Sequence, residues 1–319
     1  MNIRQKVVSS LINIMRADKK NVFYLLYYSV IEAILVLAIP LASSFIINSI
    51  LAHASISVFV LGFIVVIVFI LSTALQIIKE YIIEKFQQKV FVQTGIKIAK
   101  MAMNLEDDSE QKRHSIDKYM NYFFDIGAIQ KFFPVLLLDG TGLVVKIMVS
   151  LVLLLAFDPM LFILGIVFLI FFIIILILLG KNGPVYAIER SDAKHNAIYY
   201  LQSIPFSKEP KDEILKNFDA HLNKFVTARA QMFKVVMKQL SLTFFIEGLI
   251  FSGFLIVGGS LVINGTLPIG EFVAAEIILV SITYALKGFM KQIDYIYDMI
   301  EGFYKVEVLS KSLSESSHA

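Results

Sequence analysis

The chain has 319 residues, 57% of them hydrophobic and 17% charged, with a formal net charge of +3 and a mean hydropathy of +0.75. That balance excludes an ordinary soluble domain. Having no Cys excludes disulfides, thiol nucleophiles and zinc–thiolate sites, and having no Trp leaves Tyr and Phe to form any interfacial aromatic belt.

Residues 1–20 lack the uninterrupted apolar core and the cleavage site of a signal peptide. Val7, Val8, Leu11, Ile12 and Met15 recur at helical spacing among Arg4, Lys6, Arg16, Lys19 and Lys20, which predicts a short helix lying on a membrane surface. Six apolar runs follow: Val22–Asn48, Val58–Ile78, Phe132–Phe157, Pro159–Gly180, Leu242–Ile263 and Ile269–Leu286. At about 1.5 Å of rise per residue, each can cross a hydrocarbon layer of roughly 30 Å. Tyr24, Tyr27 and Tyr28 mark the inner end of the first run. The short connections Ser49–Ser57, Asp158-Pro159 and Asn264–Pro268 carry no Lys or Arg. Every other Lys and Arg, apart from the intramembrane Lys146, falls on the opposite side. Positive charge at span ends resists translocation, so the basic side is expected to be cytoplasmic. The sequence thus predicts an all-α, multi-pass protein of the cell (inner) membrane with both termini cytoplasmic.

Between spans 2 and 3 (Lys79–Lys131) and spans 4 and 5 (Lys181–Ser241) lie segments too long for structureless loops. In the second, Ile214, Leu215, Phe218, Leu222, Phe225, Val226, Met232, Phe233, Val236, Met237 and Leu240 recur every three or four positions. This predicts an amphipathic helix starting near Pro210, with Asp212 and Glu213 at its positive end, and running unbroken into span 5. In the first, Ile82, Ile83, Phe86 and Val90 carry span 2 on to about Asn104, roughly 37 Å past the membrane. Polar breaks at Glu106–Ser115 and Ser203–Pro210 close two long cytoplasmic helical hairpins.

The charged residues inside the spans are the candidate sites. At 100° per residue, Thr283, Lys287, Asp294 and Glu301 fall within about 20° of Glu276 on span 6. Ionisable groups at membrane depth cost at least ~2.5 kcal/mol, so Glu276, Thr283 and Lys287 are expected to line a translocation pathway or a two-fold seam. Asp294 and Glu301 are expected in the cytosol. Glu32, Lys146 and Glu247 are further pathway candidates. Lys146, on one face with Asp139 and Ser150, would pair with Glu32 or Glu247 or attract an anionic group on cargo. His53, His114, His195, His221 and His318 have no metal-ligand spacing and are expected as surface polar groups. Gly253, Gly258 and Gly259 suggest close helix contact in span 5. No basic stripe indicates nucleic-acid binding.

Asn264-Gly-Thr-Leu-Pro-Ile-Gly270, followed by Glu271-Phe-Val-Ala-Ala275, is similar to the "G-x-L-T-x-G-x-L-V-A" turn before the sixth helix of ABC exporters. Asp125-Ile126 with Ile129 resembles that family's "D-V-x-x-I" approach to its third helix. Leu37–Leu41 with Asn48 resembles the first helix of its type I secretion and bacteriocin-export branch. In order and spacing the chain resembles the transmembrane domain of a half-transporter, domain-swapped ABC exporter. It departs at Phe123-Phe124, where Ser-Arg is usual, at Ser203–Pro210, where "G-I-x-x-V-K" is usual, and at Lys305-Val306, where Arg-Ile is common.

With the interfacial helix expected over residues 1–20 and a Ser-rich flexible tail expected over 310–319, the resemblance implies a six-helix exporter-type domain over 21–309. It implies a homodimer or heterodimer of such domains in a lipid bilayer, with or without a periplasmic adaptor, exporting a peptide, protein or amphipathic cargo. Two regions would dock the nucleotide-binding ATPase: Glu106, Asp107, Asp108, Glu110, Lys112 and Arg113 at one hairpin tip, and Ser203, Phe206, Lys208 and Glu209 at the other. The chain has no G-x-x-x-x-G-K-[ST] phosphate loop, since Gly180-Lys181 is followed by Asn182 and lacks the upstream Gly. No cofactor is expected on this chain, and it is expected not to be an enzyme. ATP and Mg would sit on a separate subunit or in a domain beyond Ala319. The alternative is an exporter-like membrane scaffold or receptor without transport activity.

Overall fold

The computed structural model describes residues 12, 15–16, 18–53, 58–103, 126–127 and 129–316, with side chains placed except at 101–102 and 305–316. Most of the expected surface helix lies outside these residues. So do Asp125 and the first hairpin tip with Glu106, Asp107, Asp108, Glu110, Lys112 and Arg113. The described residues are helical with no strand, and six of the helical segments are long and apolar enough to cross a membrane.

Span 1 is two helices, α1 (Lys19–Val36) and α2 (Ala38–Leu51), joined at Leu37. Pro40 explains the joint, because it offers no N–H to the Val36 carbonyl and its ring crowds that oxygen. Span 2 is α3 (Val58–Met103), 46 residues in one helix. Span 3, α4 (Ile129–Phe157), contains a π turn over Val135–Gly140 directly after Pro134. Asp158 is extended and accepts a hydrogen bond from the Met160 N–H at 2.7 Å, so it caps α5 (Pro159–Gly180), whose first residue is the Pro that a helix start favours. After a turn at Lys181-Asn182, α6 (Gly183–Ser203) continues the course of α5.

A short 3₁₀ segment, Ile204–Phe206, leads to α7 (Lys211–Ile263), whose 53 residues extend about 80 Å without a break. The Asn264–Pro268 turn follows, with Gly265 at φ +73°, a backbone region that Gly enters without the Cβ penalty. Span 6 is α8 (Ile269–Lys291) and α9 (Ile293–Ser316), separated at Gln292. α9 carries helix through most of the stretch expected as a tail.

The antiparallel pair α6–α7 packs along its length, α8 lies against α2 and α7, and α9 lies against α6. α1 contacts α3 and α4. Three apolar clusters hold the bundle. Leu25, Ile83, Phe86, Phe133 and Phe303 join α1, α3, α4 and α9. Phe172, Met232, Ile246 and Ile293 join α5, α7 and α9. Leu154, Leu161, Phe254 and Leu279 lock the end that carries the short turns. Two of the three span 5 glycines make close contacts: a Cβ at Gly253 or Gly258 would stand 3.0 or 2.8 Å from the Phe168 or Phe272 ring, whereas Gly259 faces open space. Outward, Phe59, Phe63 and Ile70 of α3 and Ile163, Ile170 and Ile177 of α5 are exposed. An apolar perimeter of this extent suits contact with lipid.

Candidate functional site

Spans 1, 2, 3 and 6 surround a cavity of about 680 Å³, open at the bundle surface beside the exposed Ile77 and Tyr284. α1 contributes Ser29, Glu32 and Val36; α3 contributes Thr73, Gln76 and Lys79; α4 contributes Asp139 and Lys146; the α8–α9 joint contributes Gln292. Three of these four walls depart from regular helix at this level. Val36 precedes the α1–α2 joint, Asp139 rides on the π turn, and Gln292 is itself the α8–α9 joint. Irregular backbone at membrane depth is tolerated where it is buried in protein or lines a wet cavity, and π turns recur at functional sites.

The cavity's charges are unevenly matched. One Glu32 oxygen accepts from the Lys79 ammonium and the other from the Gln76 amide at 2.7 Å, so this carboxylate and the buried Lys79 satisfy each other. Asp139 is within hydrogen-bonding reach of Gln292 and feels the charge of Lys79. Lys146 feels the Glu32 charge, yet no carboxylate among the described residues lies within 4 Å of its ammonium.

Lys146 therefore does not form the expected pair with Glu32 or Glu247. Lys79 takes Glu32, and Lys287 takes Glu247 at 2.6 Å across α7 and α8, with its ammonium 5.8 Å from the Phe244 ring centre. The reason is occupancy: Lys79 and Gln76 of α3 already hold both Glu32 oxygens, and Lys287 holds Glu247.

The span 6 stripe divides among three environments. Thr283 is buried and its hydroxyl bonds back to the Leu279 carbonyl at 2.9 Å. Lys287 faces α7. The half-buried Glu276 has an Oε1 with no hydrogen-bond partner among the described residues. None of these three lines the cavity; the α8 side that does so carries Tyr284, Ala285 and Gly288.

Asp294 and Glu301 are not simply solvated. With Asp298 they form one face of α9, and all three surround the Arg190 guanidinium of α6. Nη1 is 3.5 Å from Asp294 and Nη2 is 3.1 Å from Glu301 and hydrogen-bonded to Asp298, while Lys194, one turn along α6, reaches Glu301 at 3.3 Å. Beside this knot the Tyr297 ring fills the notch left by Gly183, where a Cβ would collide with it, and its hydroxyl donates to Gln239 at 3.1 Å. α9 is thereby fastened to α6 just where the α5–α6 course bends. His195, expected at the surface, is buried nearby, and its Nδ1 donates to the Ser191 carbonyl at 2.8 Å.

The second hairpin tip is presented outward. Tyr200 stacks on Phe218 and His221 across the hairpin, at ring centroids 6.3 and 5.0 Å, and closes its two arms. Beyond that clamp Phe206 is 74% exposed and Lys208 and Glu209 are exposed. The Glu209 N–H bonds Ser207 Oγ at 3.2 Å, and Ser203 Oγ donates to the Tyr200 carbonyl at 2.7 Å. At the opposite end of the bundle, Asn48 Oδ1 accepts the Gly270 N–H at 2.9 Å, which satisfies one of the unpaired donors at the start of α8. A Cβ on Gly270 would lie 2.5 Å from both that oxygen and the Ser44 carbonyl, so span 6 meets span 1 through a position that only Gly fits. Among the described residues no group of three His, Cys, Asp or Glu converges as a metal site. No protein-family model and no curated protein matches this chain.

Proposed function

We propose that this chain is the transmembrane subunit of an ATP-driven exporter of the ABC type. Two copies, or one copy and a homologue, form the translocation pathway in the inner membrane for a peptide, protein or amphipathic cargo. The hairpin end and both termini lie in the cytoplasm, and a nucleotide-binding ATPase, carrying ATP and Mg, docks on the two hairpin tips.

The observation that carries this reading is α7. One uninterrupted helix runs from an exposed polar tip at Lys211 through the whole of span 5 to Ile263. Its first 31 or so residues, about 46 Å, stand clear of the apolar run. A helix of that length transmits displacement at its tip to its membrane end, which is what a remote ATPase needs in order to bias two states of a pathway. Further support comes from the partly unpaired charges in the span 1–2–3–6 cavity and from the exporter-like turn at Asn264–Gly270. A plain channel has no use for such levers.

The test is co-purification with a stand-alone ATPase, then ATP-dependent efflux from vesicles that hold both proteins. Exchanging the charges at the second tip (Lys208→Glu with Glu209→Lys) should abolish co-purification. Stable binding of the ATPase without any ATP-dependent movement would favour the scaffold reading instead. Labelling of Lys97 or Lys216 from outside intact cells would overturn the orientation.

A further inference from the structure

Besides the exposed Glu80, the cavity among α1, α3, α4 and α8 holds two ionisable groups of opposite sign, Asp139 and Lys146, that make no ion pair within 4 Å among the described residues. Asp139 has Gln292 as a hydrogen-bond partner and feels Lys79, and Lys146 feels Glu32. They are seven residues apart on one face of α4, about 10 Å along the axis. Long side chains on a helix lean toward its N-terminus, which carries the Lys146 ammonium toward Asp139. It still stops beyond 4 Å of any carboxylate among the described residues. The ion pair within the cavity, Glu32 with Lys79, is already satisfied by itself and by Gln76.

We infer that this cavity binds a zwitterionic headgroup, its ammonium against Asp139 and its phosphate or carboxylate against Lys146. A simple anion does not suit the site. It would answer Lys146 while adding negative charge beside Asp139 and Glu32 at membrane depth, where like charges repel strongly. A simple cation would answer Asp139 while adding positive charge beside Lys146 and Lys79, and the one further carboxylate of the lining, Glu80, is exposed and screened by solvent. A zwitterion adds no net charge and gives each stranded group a partner, the condition under which buried charge is tolerated. The cavity's size suits such a headgroup with the start of an apolar body. Ala33, Val36, Leu143 and the rim residue Ile77 supply the apolar wall, and the opening beside Ile77 and Tyr284 lets that body leave toward lipid. The inference takes from the proposed function only that these helices cross a membrane. Binding is read without any ATPase, so its loss and a loss of coupling are separate results.

The shared chemistry, an ammonium and an anion a few ångströms apart, belongs to a phospholipid headgroup and equally to a soluble amine-phosphate. The experiment uses the full chain in a maltoside detergent, which carries no charge. Isothermal titration compares dihexanoylphosphatidylethanolamine, dihexanoylphosphatidylglycerol and free phosphoethanolamine. The ethanolamine lipid should bind about tenfold more tightly than the glycerol lipid. Lys146→Met should weaken it by about tenfold, and Asp139→Asn should both weaken it and erase or invert the preference over the glycerol lipid. Lys216→Ala, on the exposed hairpin, should leave both affinities unchanged. Free phosphoethanolamine binding as tightly as the lipid would support a soluble zwitterion, and binding by the lipid alone would support one held in the leaflet. Equal affinity for the two lipids in the unaltered protein would overturn the inference even if neither variant folds. So would ethanolamine-lipid affinity left intact by both substitutions.

Discussion

At Arg190 every nearby carboxylate is met by a cation, whereas in the span 1–2–3–6 cavity one pair is closed and, besides the exposed Glu80, Asp139 and Lys146 are left apart. The knot draws Asp294, Asp298 and Glu301 onto a single guanidinium, with Lys194 as a second cation, and it ties two helices that the chain separates by about a hundred residues. The cavity keeps Asp139 and Lys146 on one helix, too far apart to meet. Both regions put charge where water is scarce. The first arrangement serves structure, because each charge stabilises its neighbours. The second opposes structure and makes sense only if something else completes it.

The largest effect is expected in the knot. Arg190→Met keeps most of the side-chain volume but leaves three carboxylates facing one another with Lys194, at Glu301, as the ion-pair cation that remains among the described residues. It should lower stability by about 3 kcal/mol, followed as thermal melting by circular dichroism in detergent. Arg190→Lys should recover only part of this, because an ammonium cannot fork between carboxylates as a guanidinium does. A loss below about 1 kcal/mol would mean that apolar packing around Tyr297 holds the joint without the charges. Next in size is the closed pair inside the cavity. Glu32→Gln preserves shape and strands the buried Lys79, so it should cost about 2 kcal/mol. If it costs nothing, the pair is solvated and the cavity has no structural half at all.

Much of the architecture could be read from residue order. Six apolar runs, the Asp158-Pro159 corner and the continuous course from Pro210 into span 5 follow from hydropathy and from the backbone habits of Pro, which are local properties. Partner choice is not local. A helical wheel placed Glu276, Thr283, Lys287, Asp294 and Glu301 on one stripe, yet it could not say that α7 would receive Lys287 or that α6 would offer Arg190. It also assumed one straight helix, and the joint at Gln292 divides the stripe. Other local signals do mark the irregular backbone. Pro40 and Pro134 each mark a break in helix geometry beside the cavity, and Gly183-Pro184 marks the bend where Tyr297 docks. The Asn48–Gly270 contact gives the exporter-like turn a physical reason, since its last Gly lies where any side chain would strike span 1. For the Gln292 joint the sequence offers no comparable signal.

In the open half of the cavity the sign should reverse. Lys146→Met and Asp139→Asn each remove a charge that has no ion-pair partner within 4 Å among the described residues, so each should raise melting stability, by up to about 1 kcal/mol. That gain should accompany the loss of zwitterion binding, the trade expected where a site is held in readiness at the expense of the fold. If either variant instead loses more than about 1 kcal/mol, its charge is structural, and the contrast with Arg190 is one of degree.

The smallest effect provides the baseline for all of these. At the second tip, Lys208 and Glu209 are exposed and lie past the Tyr200 clamp, and the Glu209 carboxylate accepts from Asn217 at 3.5 Å. Exchanging them (Lys208→Glu with Glu209→Lys) alters no buried group and should move stability by no more than about 0.5 kcal/mol. Full salt in the melting buffer should not enlarge the change, since solvent already screens both charges. A shift approaching that of Arg190→Met would show that charge substitutions anywhere on the hairpin loosen the bundle, and the special standing of the knot would fall. A silent exchange in melting that nevertheless removes ATPase binding would separate three uses of charge along one set of helices: fastening at Arg190, poised binding at Lys146, and contact with a partner at the tip.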